Sequence, residues 1–248
     1  MQRLRKILVG HGQHNHRSRP AIKNQIFTVL RIWRNYDHLD FGIERIVRLL
    51  LAVSQFASIS LYIKQLTGRF GQTTKKLSVE IYVLLKLIFP LLAMHQGWTA
   101  QKWFLPVIIY LVNETVIYLM SLIFISDASR EFIQPRRSFL LLFINFMEMT
   151  FAFASMHFGS SQSHPDSFSH TLTSLTDAIY FSFVTATTIG FGDFYPISAF
   201  NKWLVISQSA ITFLFVALFI NYFTHLLHHA NDVKITQGFT KSKHQRKK

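Results

Sequence analysis

Four apolar runs, at 79–93, 103–125, 139–158 and 203–227, constrain this chain more than any other feature of its sequence. A helix needs about 20 mostly apolar residues to cross the ~30 Å hydrocarbon core of a bilayer. Three of the runs meet that length directly. The run at 79–93 is interrupted by Lys86 and Pro90 and reaches it when extended to Trp98. Backbone polar groups in lipid must be satisfied within the segment, so such runs fold as helices. Composition agrees: half the residues are apolar, Phe alone contributes 25, and only 15% are charged, against about a quarter in a soluble domain. The sequence predicts an all-α integral membrane protein.

The formal net charge of +14 belongs mainly to the ends: Arg3, Arg5, Lys6, Arg17 and Arg19 at one, Lys241, Lys243, Arg246, Lys247 and Lys248 at the other. Basic flanks of membrane spans mark the cytoplasmic side and attract anionic lipid headgroups. No recognition motif accompanies the charge, so nucleic acid is not the expected partner. The absence of cysteine excludes disulfides and thiolate chemistry. The basic N-terminus lacks the adjacent short apolar region of a cleaved signal peptide. No catalytic motif is present, and no enzyme activity is expected.

Between the last two long runs lies a shorter one, 175–187, followed by Thr188-Ile189-Gly190-Phe191-Gly192-Asp193. This stretch resembles the potassium-channel signature, a Thr-x-Gly-(Tyr/Phe)-Gly-Asp run after a short pore helix. Asp177-Ala178-Ile179-Tyr180-Phe181 before the threonines and Pro196 after the filter are similar to the bacterial two-span pore family. The resemblance covers 138–228 and implies an outer helix, a pore helix, a selectivity filter and an inner helix. An ordinary loop would not combine a threonine pair, a half-length helix before it and full-length spans on both sides.

By that resemblance, the carbonyls of Thr188, Ile189, Gly190 and Phe191 bind potassium ions. The Thr188 hydroxyl forms the innermost ring, and Gly192 and Asp193 complete the filter. Asp177, Thr185 and Thr187 support it from the pore helix. A potassium ion exchanges its hydration shell for rings of backbone carbonyls. Aiming successive carbonyls one way requires backbone angles that glycine tolerates, which explains Gly190 and Gly192. The C-terminal end of the pore helix, with its partial negative charge, favours a cation. One filter per chain implies a homotetramer of cyclic symmetry, in a plasma membrane such as the bacterial inner membrane.

Two departures from the commonest pattern alter what is expected of the pore. Phe191 stands where tyrosine is usual, which removes a hydroxyl that braces the filter. The inner helix, 202–228, has no glycine; Ala210 lies near the usual hinge position. A weakly selective cation channel is therefore kept as an alternative, and an ion-coupled transporter subunit as a more distant one.

The resulting division is a basic N-terminal segment at 1–42, accessory membrane helices at 43–127, the pore domain at 138–228 and a basic tail at 229–248. The two or three accessory helices depend on 43–63, whose charge-free part, from Leu49, is only 15 residues long. Working back from the pore places 67–77, with Arg69, Lys75 and Lys76, on the cytoplasmic side. The loop at 127–137, with Arg130, Arg136 and Arg137, falls there as well, and 159–172, without Lys or Arg, falls outside. If 43–63 also spanned, the ten Lys and Arg of residues 1–48 would lie outside. An interfacial or re-entrant segment, consistent with Ser54, Gln55, Ser58 and Ser60, avoids that; an N-out, five-span chain is the alternative. Residues 22–33 form a weakly amphipathic stretch suited to the membrane surface.

Lys86, Glu114 and Glu148 are ionisable residues within spans, where charge usually faces protein or a cavity. Spacing along the helices puts Glu114 and Glu148 near mid-membrane and Lys86 closer to the cytoplasm. The expectation is that Lys86 pairs with Glu114 across neighbouring helices, the alternative being a snorkelling Lys86 and a protonated or water-contacting glutamate. The run 103–125 carries no basic residue, and Arg31/Arg34 and Arg45/Arg48 give only two steps each, so no voltage sensor is expected. His225, His228 and His229 suit a helix C-terminus or a pH-sensitive gate. His164 and His170 are expected to be solvated. Asn221 could line the inner mouth. The short stretch after the inner helix leaves no room for a soluble gating module.

Overall fold

The computed structural model describes residues 20–34, 42–125 and 135–245. The basic ends at 1–19 and 246–248, and Arg130, lie outside the described residues. So do the side chains of 135–138, of 223 and of 225–245, which include His225, His228 and His229.

The chain is helical throughout the described residues apart from turns and one isolated bridge. Helix α1 covers Ala21–Arg34, α2 Gly42–Ser54, α3 Ile59–Thr67, α4 Gln72–His95 and α5 Phe104–Phe124. Then come α6, Pro135–Ser163, α7, Leu175–Ala186, and α8, Ala199–Gln245. Among them, Thr73–His95, Phe104–Phe124, Phe139–Ser163 and Ala199–Tyr222 are long and apolar enough to cross a membrane. These four correspond to the four long apolar runs, and the protein is an all-α, multi-pass membrane protein.

Segment 43–63 is not one straight helix. Gly42–Ala57 and Ile59–Phe70 meet at Ser58 with a bend of 65°. Each piece, at 1.5 Å per residue, is shorter than the hydrocarbon core, so the unit is a broken span or a re-entrant loop. Side chains from neighbouring helices hold the break: the Tyr110 hydroxyl donates to the Ala57 carbonyl at 2.8 Å. Helix α1 lies against both pieces: Gln25 Nε2 donates to the Ala52 carbonyl at 2.7 Å and Gln65 Oε1 accepts from the Ile22 N–H at 3.1 Å. Ile32, Ala52 and Ile125 form the small apolar cluster beneath it. Phe27 and Trp33 remain exposed, as an interfacial helix would present them to lipid.

Residues 67–77 are largely helical, because α4 begins at Gln72 directly after a short turn. One other expectation changes. The inner helix does not stop near His228 but runs 47 residues to Gln245, about 70 Å. The stretch 229–245 contains no proline to end it.

Helix α6 is the hub of the packing and touches α4, α5, α7 and α8. Ala93 of α4, Phe104 and Ile108 of α5, Met149, Phe153 and Met156 of α6, and Phe215 of α8 share one buried cluster. At Gly159 the turn preceding α5 comes very near α6: a Cβ there would sit 2.7 Å from the Thr99 carbonyl oxygen. Because that neighbour is backbone, it cannot rotate away. Gly159→Ala is expected to destabilise the α4–α6 packing by about 1–3 kcal/mol, read as a lower unfolding midpoint in detergent.

Candidate ion-conducting site

The short helix α7 is set by its N-terminus. The Ser174 side chain accepts from the Asp177 N–H at 3.0 Å, and Asp177 Oδ2 accepts from the Ser174 N–H at 2.9 Å, a reciprocal capping box. The Thr173 hydroxyl adds a bond to the same carboxylate at 3.1 Å. These bonds, the Ser174 backbone N–H first, hold the Asp177 carboxyl below the usual carboxylate range. Asp177 is thus the N3 residue of the helix.

The other end of α7 leads straight into the strand 188–193. The Thr188 N–H donates to the Thr185 carbonyl at 3.1 Å, and the Ile189 N–H to the Val184 carbonyl at 3.0 Å. With Thr187 as the cap, this is a Schellman arrangement, whose C′ residue adopts a left-handed conformation and is usually glycine. Here the residue is Thr188, at φ 58°, and no other non-glycine among the described residues has a positive φ. A β-branched residue in that conformation is strained. Gly190 follows at φ 59° and Gly192 at φ 80°. The sign of φ therefore alternates at every residue from 188 to 192. Alternation between right- and left-handed conformations turns successive carbonyls toward the same side of the strand. Sequence reasoning assigned that need to Gly190 and Gly192; Thr188 shares it.

Aromatic rings and one carboxylate flank the strand. The ring of Tyr180, on α7, stacks on that of Phe191 with an interplanar angle of 2° and a centroid distance of 6.4 Å. The Tyr180 hydroxyl hydrogen-bonds the Asp193 carboxyl and holds it below its ordinary range. The hydroxyl that Phe191 lacks is thus supplied one helix away, by Tyr180. A lowered carboxylate pKa means that this bond is present at neutral pH. It is lost only as pH falls through the lowered value, beneath the ordinary carboxylate range. Tyr180→Phe keeps the stack and removes the bond, and is expected to shorten single-channel open bursts.

A polar cluster clamps α7 from behind. The Ser182 hydroxyl donates to the Thr150 carbonyl of α6 at 2.6 Å. Gln208 of α8 donates to the Ser182 carbonyl at 2.8 Å and to its hydroxyl oxygen at 2.9 Å. His157 Nε2 lies 3.3 Å from Gln208 Oε1. Thr150, His157, Ser182 and Gln208 were not singled out from sequence; the available signal was polar residues inside apolar helices. After the filter, the outer loop holds the strand: Ser169 N–H donates to the Tyr195 carbonyl at 3.0 Å, and Phe168 bridges Pro196.

Other candidate residues fall elsewhere. Thr187 is exposed and its hydroxyl donates to the Phe183 carbonyl at 2.7 Å. Thr185 is partly buried and supplies the carbonyl that Thr188 uses. His170 packs edge-on against Phe194. Asn221 is exposed on the single subunit. Lys86 does lie 3.8 Å from Glu114, and it is closer still, 3.1 Å, to Glu148.

Residues 139–229 match a family model described as ion channel. The match takes in nearly all of α6, all of α7, the strand after it and the first part of α8, and it supports an ion channel within a multi-pass membrane protein. Neither a curated protein nor a solved structure matches the chain.

Proposed function

We propose that this protein is one subunit of a homotetrameric potassium channel, whose filter is Thr188, Ile189, Gly190, Phe191, Gly192 and Asp193. The observation that carries this reading is the positive φ at every second residue, Thr188, Gly190 and Gly192, directly after a short, capped helix. Four such strands around one axis give stacked rings of carbonyls that replace the hydration shell of potassium. Passive flux down the electrochemical gradient follows; the membrane is a plasma membrane, with anionic lipids at the basic ends.

The single subunit leaves its filter uncovered: Ile189 is 57% and Phe191 68% exposed. Phe213 and Ile220, seven residues apart on α8, are also exposed. Non-helical backbone at membrane depth is tolerated only when protein surrounds it or it lines an aqueous cavity. Three further copies supply that surrounding. A weakly selective cation pore is the second reading, and the Tyr180 brace on Phe191 and Asp193 argues against the loose filter it needs.

Reversal potentials in planar bilayers test the reading, with potassium on one side and sodium on the other. The expected potential follows potassium. A potential near zero under that gradient would support the weakly selective pore, and transport without unitary currents would support an ion-coupled transporter.

A further inference from the structure

Three ionisable side chains meet inside the membrane domain, where the accessory helices touch the pore module: Lys86 of α4, Glu114 of α5 and Glu148 of α6. Their side chains are 7%, 4% and 2% exposed. Lys86 Nζ lies 3.1 Å from Glu148 Oε1 and 3.8 Å from Glu114 Oε2. Two carboxylates facing one ammonium leave a net negative charge in a low-dielectric site, which is costly unless neutralised.

The two carboxylates are not equally supplied with donors. Glu114 Oε1 accepts from the Ser58 hydroxyl at 2.6 Å and from the Ser60 N–H at 3.0 Å, both at the break between α2 and α3. Its Oε2 accepts from the Tyr82 hydroxyl. Glu148 Oε1 accepts from the Thr115 hydroxyl at 2.9 Å, and that hydroxyl accepts in turn from Lys86. Glu148 Oε2 is buried and has no hydrogen-bond partner. Tyr110, the remaining titratable group facing the cluster, donates to the Ala57 carbonyl. Both oxygens of Glu114 thus have donors, whereas Glu148 keeps a bare buried oxygen, which burial without a donor disfavours in the charged form.

We propose that Glu148 is a proton-binding site within the membrane, holding an exchangeable proton on Oε2 while Lys86 and Glu114 stay ionised as a pair. The proposal concerns regulation and goes beyond the ion that the pore carries. Protonated, the cluster is neutral and α4, α5 and the Ser58 break lock onto α6. Deprotonated, it carries one buried negative charge that loosens the same contact. Glu148 sits two residues from Thr150, whose carbonyl receives the Ser182 hydroxyl of the pore helix. A shift of α6 therefore reaches the helix that positions the filter, and proton occupancy biases the pore.

Infrared difference spectroscopy of the purified full-length protein, titrated between about pH 5 and about pH 9, tests the site. A carbonyl-stretch band of a protonated carboxylic acid, shifted in D2O, is expected in the wild type. Glu148→Gln removes it, Glu114→Gln retains it, and Glu148→Asp displaces its frequency, which assigns the band even where the glutamine variant does not fold. In reconstituted bilayers, wild-type current should change about fivefold or more over that range, and Glu148→Gln should abolish the change. A band indifferent to every substitution at Glu148 overturns the site. A current whose pH response survives Glu148→Gln overturns its link to the pore. The infrared arm is independent of potassium selectivity, so failure of that reading leaves it intact.

Discussion

Gly190→Ala is expected to abolish potassium current while the subunit still folds and inserts. Gly190 sits at φ 59°, and a Cβ built on it would meet nothing within 4 Å in the subunit. The penalty is therefore conformational, about 1–2 kcal/mol for an L-residue in the left-handed region. In a tetramer it is incurred four times around one axis, so the conducting backbone is disfavoured by about 4–8 kcal/mol. At 1.4 kcal/mol per tenfold, that lowers its population about a thousandfold or more. Thr188 already bears such a penalty at φ 58°. It does so where its hydroxyl can form the innermost ring, a role glycine could not fill. Single-channel recording of the alanine variant gives the result; unitary currents of wild-type amplitude would separate conduction from the conformation of Gly190.

The order of elements in 139–245 was legible in the sequence because each of them carries its own signal. Length and hydropathy mark α6 and α8, half-length marks α7, and glycine at alternate positions marks the strand. The positive φ of Thr188 was not legible, since β-branched residues normally avoid it and the Schellman bonds impose it here. Replacing tyrosine by Phe191 suggested an unbraced filter; the compensating Tyr180 lies eleven positions earlier, on another element, and only the packing of α7 beside the strand joins them. Residues 43–63 were ambiguous for a physical reason. The charge-free part was short and held polar residues, and one of those, Ser58, sits at the bend, where its hydroxyl and the Ser60 N–H reach Glu114. Similarly, spacing along helices put Glu114 and Glu148 near mid-membrane and Lys86 nearer the cytoplasm. It could not reveal that Glu148, from the pore module, would be the nearer partner.

Lys86→Met is expected to be the most destabilising single change outside the filter. Methionine keeps much of the aliphatic stem and removes the only ammonium found within 4.0 Å of Glu114 and Glu148 among the described residues. Breaking a buried pair by deleting one partner costs about 3–5 kcal/mol, because the remaining charge stays buried without compensation. For a chain of this size, each kcal/mol moves the unfolding midpoint by about 2–4 °C. The variant should accordingly unfold about 6–20 °C lower in detergent. Adding Glu114→Gln removes the stranded charge while leaving an amide oxygen to accept from Ser58 and Ser60 and an amide NH2 that can donate to the Tyr82 hydroxyl oxygen. The double variant should therefore recover most of the loss, which separates electrostatic damage from lost packing of the lysine stem. A Lys86→Met protein as stable as the wild type would mean that the cluster does not hold the accessory helices to the pore. An unrescued double variant would assign the effect to packing instead.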